Sequence, residues 1–148
     1  MSVKFDQHVD VNAAPDATWA ILSDSTRWPL WFSEIDSISD MPSGAGASTF
    51  SFVNDGQSGT GTIAAINTET MTVRLVLQVG DARGTHTFDI DRSGGFLGIG
   101  SNDSRLRYTK EYDVPGGVLG DFVAGGNPKD MTQVKHTLEK FKKLAEMR

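Results

Sequence analysis

Residues 9–24, VDVNAAPDATWAILSD, decide how the chain begins to fold. The segment completes a run from residue 3 to residue 11 in which mostly apolar side chains alternate with charged or polar ones. This period of two is typical of a strand with one buried face. The strand is followed by Pro15, which suits the first turn of a helix, and by Asp16, which favours the positive end of the helix dipole. The sequence therefore predicts a strand and then a short helix that continues to Leu22.

A second short helix is predicted immediately afterwards. Residues 26–32, TRWPLWF, place three aromatic side chains within five positions, and Pro29 is able to open a helical turn. We therefore expect two short helices to form an elbow behind the first strand.

The middle of the chain has the pattern of an antiparallel meander. Six further strands are predicted, separated by clusters of Gly, Ser, Asn and Asp. They cover residues 35–41, 48–54, 61–67, 71–79, 83–92 and 105–114. The clearest alternation is that of residues 71–79, MTVRLVLQV, which predicts that one face of the sheet is buried.

The C-terminus follows a helical period. Met131, Val134, Leu138, Phe141 and Ala145 recur at spacings of three and four, which describes an amphipathic helix. Because its apolar stripe must pack on another element, we predict an α+β fold in which a curved seven-stranded antiparallel sheet wraps around this long C-terminal helix. No linker marks a boundary, so the whole chain, 1–148, is expected to form a single domain.

Two segments depart from these patterns. Residues 93–101, SGGFLGIGS, combine four glycines with three large apolar side chains, and we expect a mobile loop near an opening. Residues 114–127 suggest a shorter helical piece that breaks before Pro128.

Composition limits the function classes. The chain has no cysteine, which excludes disulfides, thiolate metal sites and cysteine nucleophiles. Its net charge of −5 argues against a nucleic-acid partner, although residues 129–148 carry six Lys or Arg against three Asp or Glu. No apolar run reaches the roughly 20 residues of a membrane span, and the N-terminus lacks the pattern of a signal peptide. We therefore expect a cytoplasmic protein without a transmembrane segment.

Three features occur together in order along the chain: residues 9–24, the WPLW elbow at residues 28–31, and TLEKF at residues 137–141 in the terminal helix. In these features the sequence resembles the START-like, or SRPBCC, ligand-binding superfamily, in its polyketide cyclase/dehydrase-like branch. The resemblance implies a helix-grip fold with a deep pocket for lipids, aromatic polyketides, sterols or plant hormones. It also implies that no metal or organic cofactor is needed and that only some branches are enzymes.

The inward faces of the strands would line such a pocket. Most of their side chains are apolar or aromatic, which suits an amphipathic ligand because apolar burial contributes roughly 25 cal/mol per Å² while a few polar groups fix orientation. The candidate ligand-binding residues are Phe5, Gln7, Trp28, Trp31, Phe50, Phe52, Leu75, Leu77, His86, Phe88, Tyr108, Tyr112, Phe122, Val134 and Leu138.

Three polar residues on these faces are weak catalytic candidates, and each has a structural alternative. His86 and Tyr108 could act as acid and base, or they could be satisfied core residues. Lys110 could stabilise an enolate, or it could extend outwards at a strand end.

Two other groups of residues also have a functional and a structural interpretation. Trp28 and Trp31 could form the lip of the pocket or a structural staple. Glu34, Asp36 and Asp40 follow the elbow among apolar residues in alternation, so we expect them to face solvent rather than to take part in acid–base work.

Other signatures of catalysis or cofactor binding are weak or missing. The glycines of residues 94–100 are not followed by the Gly-Lys-Ser/Thr of a phosphate-binding loop, and the chain has no nucleophile-elbow motif. His8, His86 and His136 have no metal-ligand spacing, so no metal site is predicted.

Three functions remain open. The favoured one is a non-catalytic carrier or sensor of a small hydrophobic molecule. The alternative is a polyketide cyclase- or dehydratase-like enzyme, whose acid–base groups must meet on one cavity wall. A third is an interaction protein whose sheet or basic helix binds another protein, and a filled interior would favour it.

Overall fold

The computed structural model describes residues 2–39, 49–80, 82–91, 103–113 and 128–147. The predictions for residues 93–101 and 114–127, together with those for Asp40 and Phe122, lie outside the described residues.

The N-terminal strand and elbow form as predicted. Strand β1 covers Ser2–Val11 and helix α1 covers Pro15–Leu22, with proline in the first turn. A 3₁₀ turn, Ser25–Arg27, then leads into helix α2, Trp28–Trp31. The indole N–H of Trp28 donates to the carbonyl of Leu22 over 2.8 Å, which fixes α2 against the end of α1.

Seven antiparallel strands form one sheet, which confirms the predicted fold class. After β1 come β2 (Ser37–Ser39), β3 (Thr49–Asn54), β4 (Gln57–Asn67), β5 (Thr72–Val79), β6 (Ala82–Asp91) and β7 (Ser104–Asp113). Their order in the sheet is β1-β7-β6-β5-β4-β3-β2, so the last strand returns to pair with the first. Most predicted starts hold to within two residues, including that of β2 at Ser37, but β4 begins four residues early.

Local chemistry explains how consecutive strands are joined and bent. Asp55 and Gly56 connect β3 to β4 with φ angles of 52° and 80°, the left-handed pair that a two-residue hairpin turn requires. In β4 the register shifts between Ile63 and Ala65. A bulge of this kind bends a strand and increases its twist.

Helix α3, Pro128–Glu146, packs across the sheet against β1 and β7. Its buried stripe is the predicted one, since Val134, Leu138 and Phe141 are all buried and Met131 is partly buried. On the sheet, Val73, Leu75 and Leu77 are buried as the alternation predicted. The inner face of the sheet therefore carries the core, and α3 covers it.

Candidate functional site

A polar cluster lies on the inner face of β6 and β7. The two strands pair with His86 opposite Lys110 and Phe88 opposite Tyr108. Because alternate residues of a strand share a face, this register sets all four side chains towards the core. His86 and Tyr108 are about 1% exposed and Lys110 is 6% exposed, so three polar residues are held in an apolar interior.

The members of the cluster are in contact. Nδ1 of His86 lies 2.6 Å from the hydroxyl of Tyr108. Nζ of Lys110 lies 2.9 Å from Oε2 of Glu34, and the Tyr108 hydroxyl donates to the same oxygen at 3.4 Å. His86 Nδ1 is 3.7 Å from that oxygen. One carboxylate thus joins the three residues that the sequence singled out as catalytic candidates.

Glu34 was expected to face solvent, and this prediction is wrong. Residues 33–36 form a turn rather than the start of a strand, with the amide of Ile35 donating to the carbonyl of Phe32 over 3.0 Å. The amide of Ser33 donates to Thr137 Oγ1 of α3, so the turn is held against the helix. Only 16% of the Glu34 side chain remains exposed. Strand alternation does not hold for residues 33–36, because they are not in a strand, so the sequence pattern does not indicate this burial.

The buried charges are paired, as burial requires. An uncompensated ion in a protein interior is strongly destabilising, whereas a close carboxylate–ammonium pair offsets much of the cost. Lys110 also lies over the ring of Tyr112, 5.6 Å from its centroid, within the range of a cation–π contact. The Tyr108 hydroxyl lies within hydrogen-bond distance of both His86 Nδ1 and Glu34 Oε2, and its one proton can be donated to only one of these atoms at a time.

Aromatic rings enclose the polar cluster. Phe32 meets the rings of His86 and Tyr108 edge to face, at centroid distances of 5.2 and 6.0 Å. Phe88 stacks on Tyr108 at 4.3 Å, and Trp31 meets Phe88 edge to face at 5.0 Å. These are the offset and perpendicular arrangements that aromatic pairs prefer.

The elbow adds a polar atom to this aromatic region. Trp31 is fully buried, and its indole Nε1 has no hydrogen-bond partner among the described residues. Trp31 also contacts Phe141 of α3, at a centroid distance of 5.1 Å, so its ring touches the helix as well as Phe88 of the sheet.

The structure places most of the predicted ligand-binding residues in the interior. Gln7 and Tyr112 are partly buried, and Phe122 lies outside the described residues. The buried ones are Phe5, Trp28, Trp31, Phe50, Phe52, Leu75, Leu77, His86, Phe88, Tyr108, Val134 and Leu138. Trp31, Phe88 and Tyr108 are brought together around the cluster, whereas Trp28 packs with Phe50 in a second aromatic group. Contact of these residues with a ligand remains a prediction.

A separate groove of ≈ 450 Å³ lies on the opposite, convex face of the sheet. It is polar, and two ion pairs, Asp6 with Arg107 and Asp10 with Arg105, cross this face from β1 to β7. The Arg107 guanidinium hydrogen-bonds Asp6 and holds the pKa of that carboxyl below its ordinary value. The lining residues are Asp6, His8, Asp89, Ile90, Asp91, Arg105 and Arg107. This groove does not match the apolar site predicted from the inward faces.

Two further features of the described residues bear on the class of site. Within them, no three His, Asp or Glu side chains are grouped so that they could hold a metal ion. None of the described helices is long and apolar enough to cross a membrane.

Comparison with known proteins places this arrangement among related folds. A family model described as "Polyketide cyclase / dehydrase and lipid transport" matches residues 2–146. No curated protein matches the chain in sequence.

Several solved structures share the fold at low sequence identity. A START superfamily protein from Mycobacterium smegmatis aligns with a TM-score of 0.66 and 20% identity, covering 97% of this chain and 94% of the other. The ZhuI aromatase/cyclase from a Streptomyces species aligns with a TM-score of 0.68 and 12% identity, covering 99% and 94%. A truncated norcoclaurine synthase from Thalictrum flavum aligns with a TM-score of 0.72 and 12% identity, covering 100% and 96%.

Proposed function

Because the chain belongs to the polyketide cyclase/dehydrase and lipid transport family, we propose that it binds a small hydrophobic or amphipathic molecule between the concave face of the sheet and α3, as a carrier or sensor. The observation that carries the proposal is the set of polar groups, Glu34, Lys110, Tyr108 and His86, held inside an aromatic interior. An interior that served stability alone would gain little from a buried ion pair, because apolar side chains of similar volume stabilise as well or better.

The aromatic and the polar residues of such a site would contribute differently to binding. Aromatic walls formed by Phe32, Phe88 and Trp31 supply affinity through burial of apolar surface. Hydrogen-bonding groups on one side then fix the orientation of the ligand, as is usual for pockets that bind small molecules. The indole N–H of Trp31, which has no acceptor in the described part of the chain, would be an additional donor for a ligand oxygen.

A second candidate function is acid–base catalysis on a carbonyl compound. It is favoured by the contact of His86 with Tyr108 at 2.6 Å and by Glu34 within reach of both, the meeting of groups that proton transfer requires. In that role Tyr108 would exchange a proton with the substrate, His86 would accept or return it, and Lys110 would stabilise an enolate oxygen. Two of the structural relatives are an aromatase/cyclase and norcoclaurine synthase, so the fold also supports enzymes.

The two functions are separated by native mass spectrometry of protein purified from its own host, followed by incubation with whatever co-purifies. A carrier retains an apolar molecule that stays chemically unchanged. An enzyme converts it, and His86→Ala then abolishes turnover while binding is nearly intact, since a general acid or base contributes about 10²–10⁴-fold to rate and far less to ground-state affinity.

His8→Ala is the matched control, because His8 lies on the exposed face of β1. Conversion that is lost in His86→Ala but kept in His8→Ala would overturn the carrier in favour of the enzyme. If the purified protein retains no molecule from its host and binds none of a panel of lipophilic dyes, both proposals fail. The hypothesis of an interaction protein is then the one that remains.

A further inference from the structure

We infer that Glu34 determines which polar group the ligand carries: a neutral hydroxyl or phenol is accepted at this end of the site and a carboxylate is rejected. The inference rests on the proposed binding function and adds a rule of specificity to it. It concerns the charge of the ligand's head group and not the nature of its apolar body.

The first step is the charge balance of the site. Lys110 is the cation of the cluster, with 7% of its side chain exposed, and Glu34 already lies 2.9 Å from its ammonium. A ligand carboxylate that approached Lys110 would bring a second negative charge beside Glu34. Water screens little in such an interior, and like charges set side by side in a binding site are strongly unfavourable.

The second step is the hydrogen-bonding capacity of Glu34. A carboxylate has about four acceptor positions on its two oxygens. The contacts from Lys110, Tyr108 and His86 converge on Oε2, and among the described residues no hydrogen bond reaches Oε1. Glu34 therefore keeps acceptor capacity for a donor that a ligand supplies.

The third step is access. The Glu34 side chain is 16% exposed, compared with 1% for His86 and 7% for Lys110, so it is the most accessible of these groups. Phe32, two residues earlier, is fully buried and lies edge-on to His86 and Tyr108, so an aromatic group adjoins Glu34. In the proposed site, a planar ligand ring beside this group would present its substituent to Glu34.

The test uses three probes with one ring system: naphthalene, 2-naphthol and 2-naphthoate. Their dissociation constants are measured by calorimetry for the native protein, for Glu34→Gln and for Glu139→Gln, which removes the same charge from an exposed position of α3. The native protein and the Glu139→Gln control should bind 2-naphthol at least tenfold more tightly than 2-naphthoate. In Glu34→Gln this preference should be lost or much reduced, because the Glu34 charge that repels a carboxylate is gone.

The outcomes separate this inference from the function on which it rests. If none of the probes binds, naphthalene included, both fail. If naphthalene binds but the native protein takes 2-naphthoate as tightly as 2-naphthol, the selectivity rule is overturned and the binding function stands. That comparison needs no variant, so it remains decisive if Glu34→Gln does not fold.

Discussion

Oε2 of Glu34 lies 2.9 Å from Nζ of Lys110, and this contact joins the turn after α2 to the inner face of β7. The two residues belong to elements that are distant in sequence and that meet only in the folded chain. The pair therefore ties the aromatic elbow to the sheet at the point where the candidate site is formed.

Removing the ammonium should destabilise the domain. In Lys110→Met the Glu34 carboxylate loses its partner in a site where water is scarce. Breaking a buried pair typically costs about 3–5 kcal/mol, and we expect a value near or below the lower end because Glu34 keeps some exposure. Denaturant unfolding followed by circular dichroism measures the change.

Two variants control this experiment. Lys135→Met removes a lysine from an exposed position of α3 and should change the free energy of unfolding little. Adding Glu34→Gln to Lys110→Met should restore part of the lost stability, since the carboxylate that lost its ammonium is then replaced by a neutral amide. A double variant that is no more stable than Lys110→Met alone would contradict the pairing.

Much of the fold could be predicted because it depends on short-range patterns. The period of two in residues 71–79 and the spacing of Val134, Leu138 and Phe141 identify buried faces without knowledge of any partner. Pro15 and Pro29 mark helix starts for a local steric reason. β2 begins at Ser37 rather than at residue 35 because the Ile35 amide closes a local turn onto the carbonyl of Phe32.

Only part of the candidate site could be predicted from such short-range patterns. His86, Tyr108 and Lys110 stand at alternating positions of regular strands, so their common inward direction could be predicted. Glu34 is in an irregular turn, where no periodicity indicates where a side chain points. Its burial depends on contacts with Lys110 and Tyr108, which are distant in sequence.

The stripe of α3 is expected to contribute strongly to stability. Leu138 is 3% exposed, and Leu138→Ala should lower the free energy of unfolding by about 2–5 kcal/mol, the range for removing a buried leucine side chain. Leu144→Ala is the matched control, because Leu144 is only partly buried on the same helix and should cost less. Equal losses at the two positions in a denaturant melt would argue against the packing described.

Two glycines of β4 are predicted to be required because the aromatic rings of their cross-strand neighbours leave no room for a side chain. Gly59 pairs with Phe52 and Gly61 with Phe50, and each phenyl ring covers the glycine opposite. A Cβ at Gly59 would stand 2.6 Å from Cζ of Phe52, and one at Gly61 would meet the Phe50 ring still more closely.

We therefore expect Gly61→Ala to destabilise the domain by about 1–3 kcal/mol through overpacking, as measured by thermal or denaturant unfolding. Gly84→Ala is the control, since a Cβ there would stand at an ordinary 3.4 Å from the nearest side-chain atom. Replacing the Phe50 ring by the smaller side chain of leucine, Phe50→Leu, should recover part of the stability that Gly61→Ala loses. If Gly61→Ala and Gly84→Ala prove equally tolerated, the rings do not occupy this space.

A polar clasp fastens the C-terminal end of α3 to the end of β1. Nζ of Lys142 donates to the Asp10 carbonyl over 2.8 Å and to Oε2 of Glu146 over 2.6 Å. The amide of Asn12 donates to the same Glu146 oxygen over 2.8 Å. The hydrogen bonds from Lys142 and then from Asn12 hold the pKa of Glu146 below its ordinary value of 4.5.

The clasp should make stability depend on pH with a definite sign. Because the pKa of Glu146 is lower in the folded chain than in the unfolded one, its contribution is complete above about pH 4.5 and is lost as the pH falls through the folded value. The free energy of unfolding should thus differ between the native protein and Glu146→Gln at pH 7, and the difference should shrink as the pH falls below about 4.5, as denaturant titrations at each pH would measure. Glu139→Gln, an exposed change of the same charge on the same helix, controls for net charge. A difference between native protein and Glu146→Gln that stays constant or grows as the pH falls would show that the carboxylate does not carry the clasp.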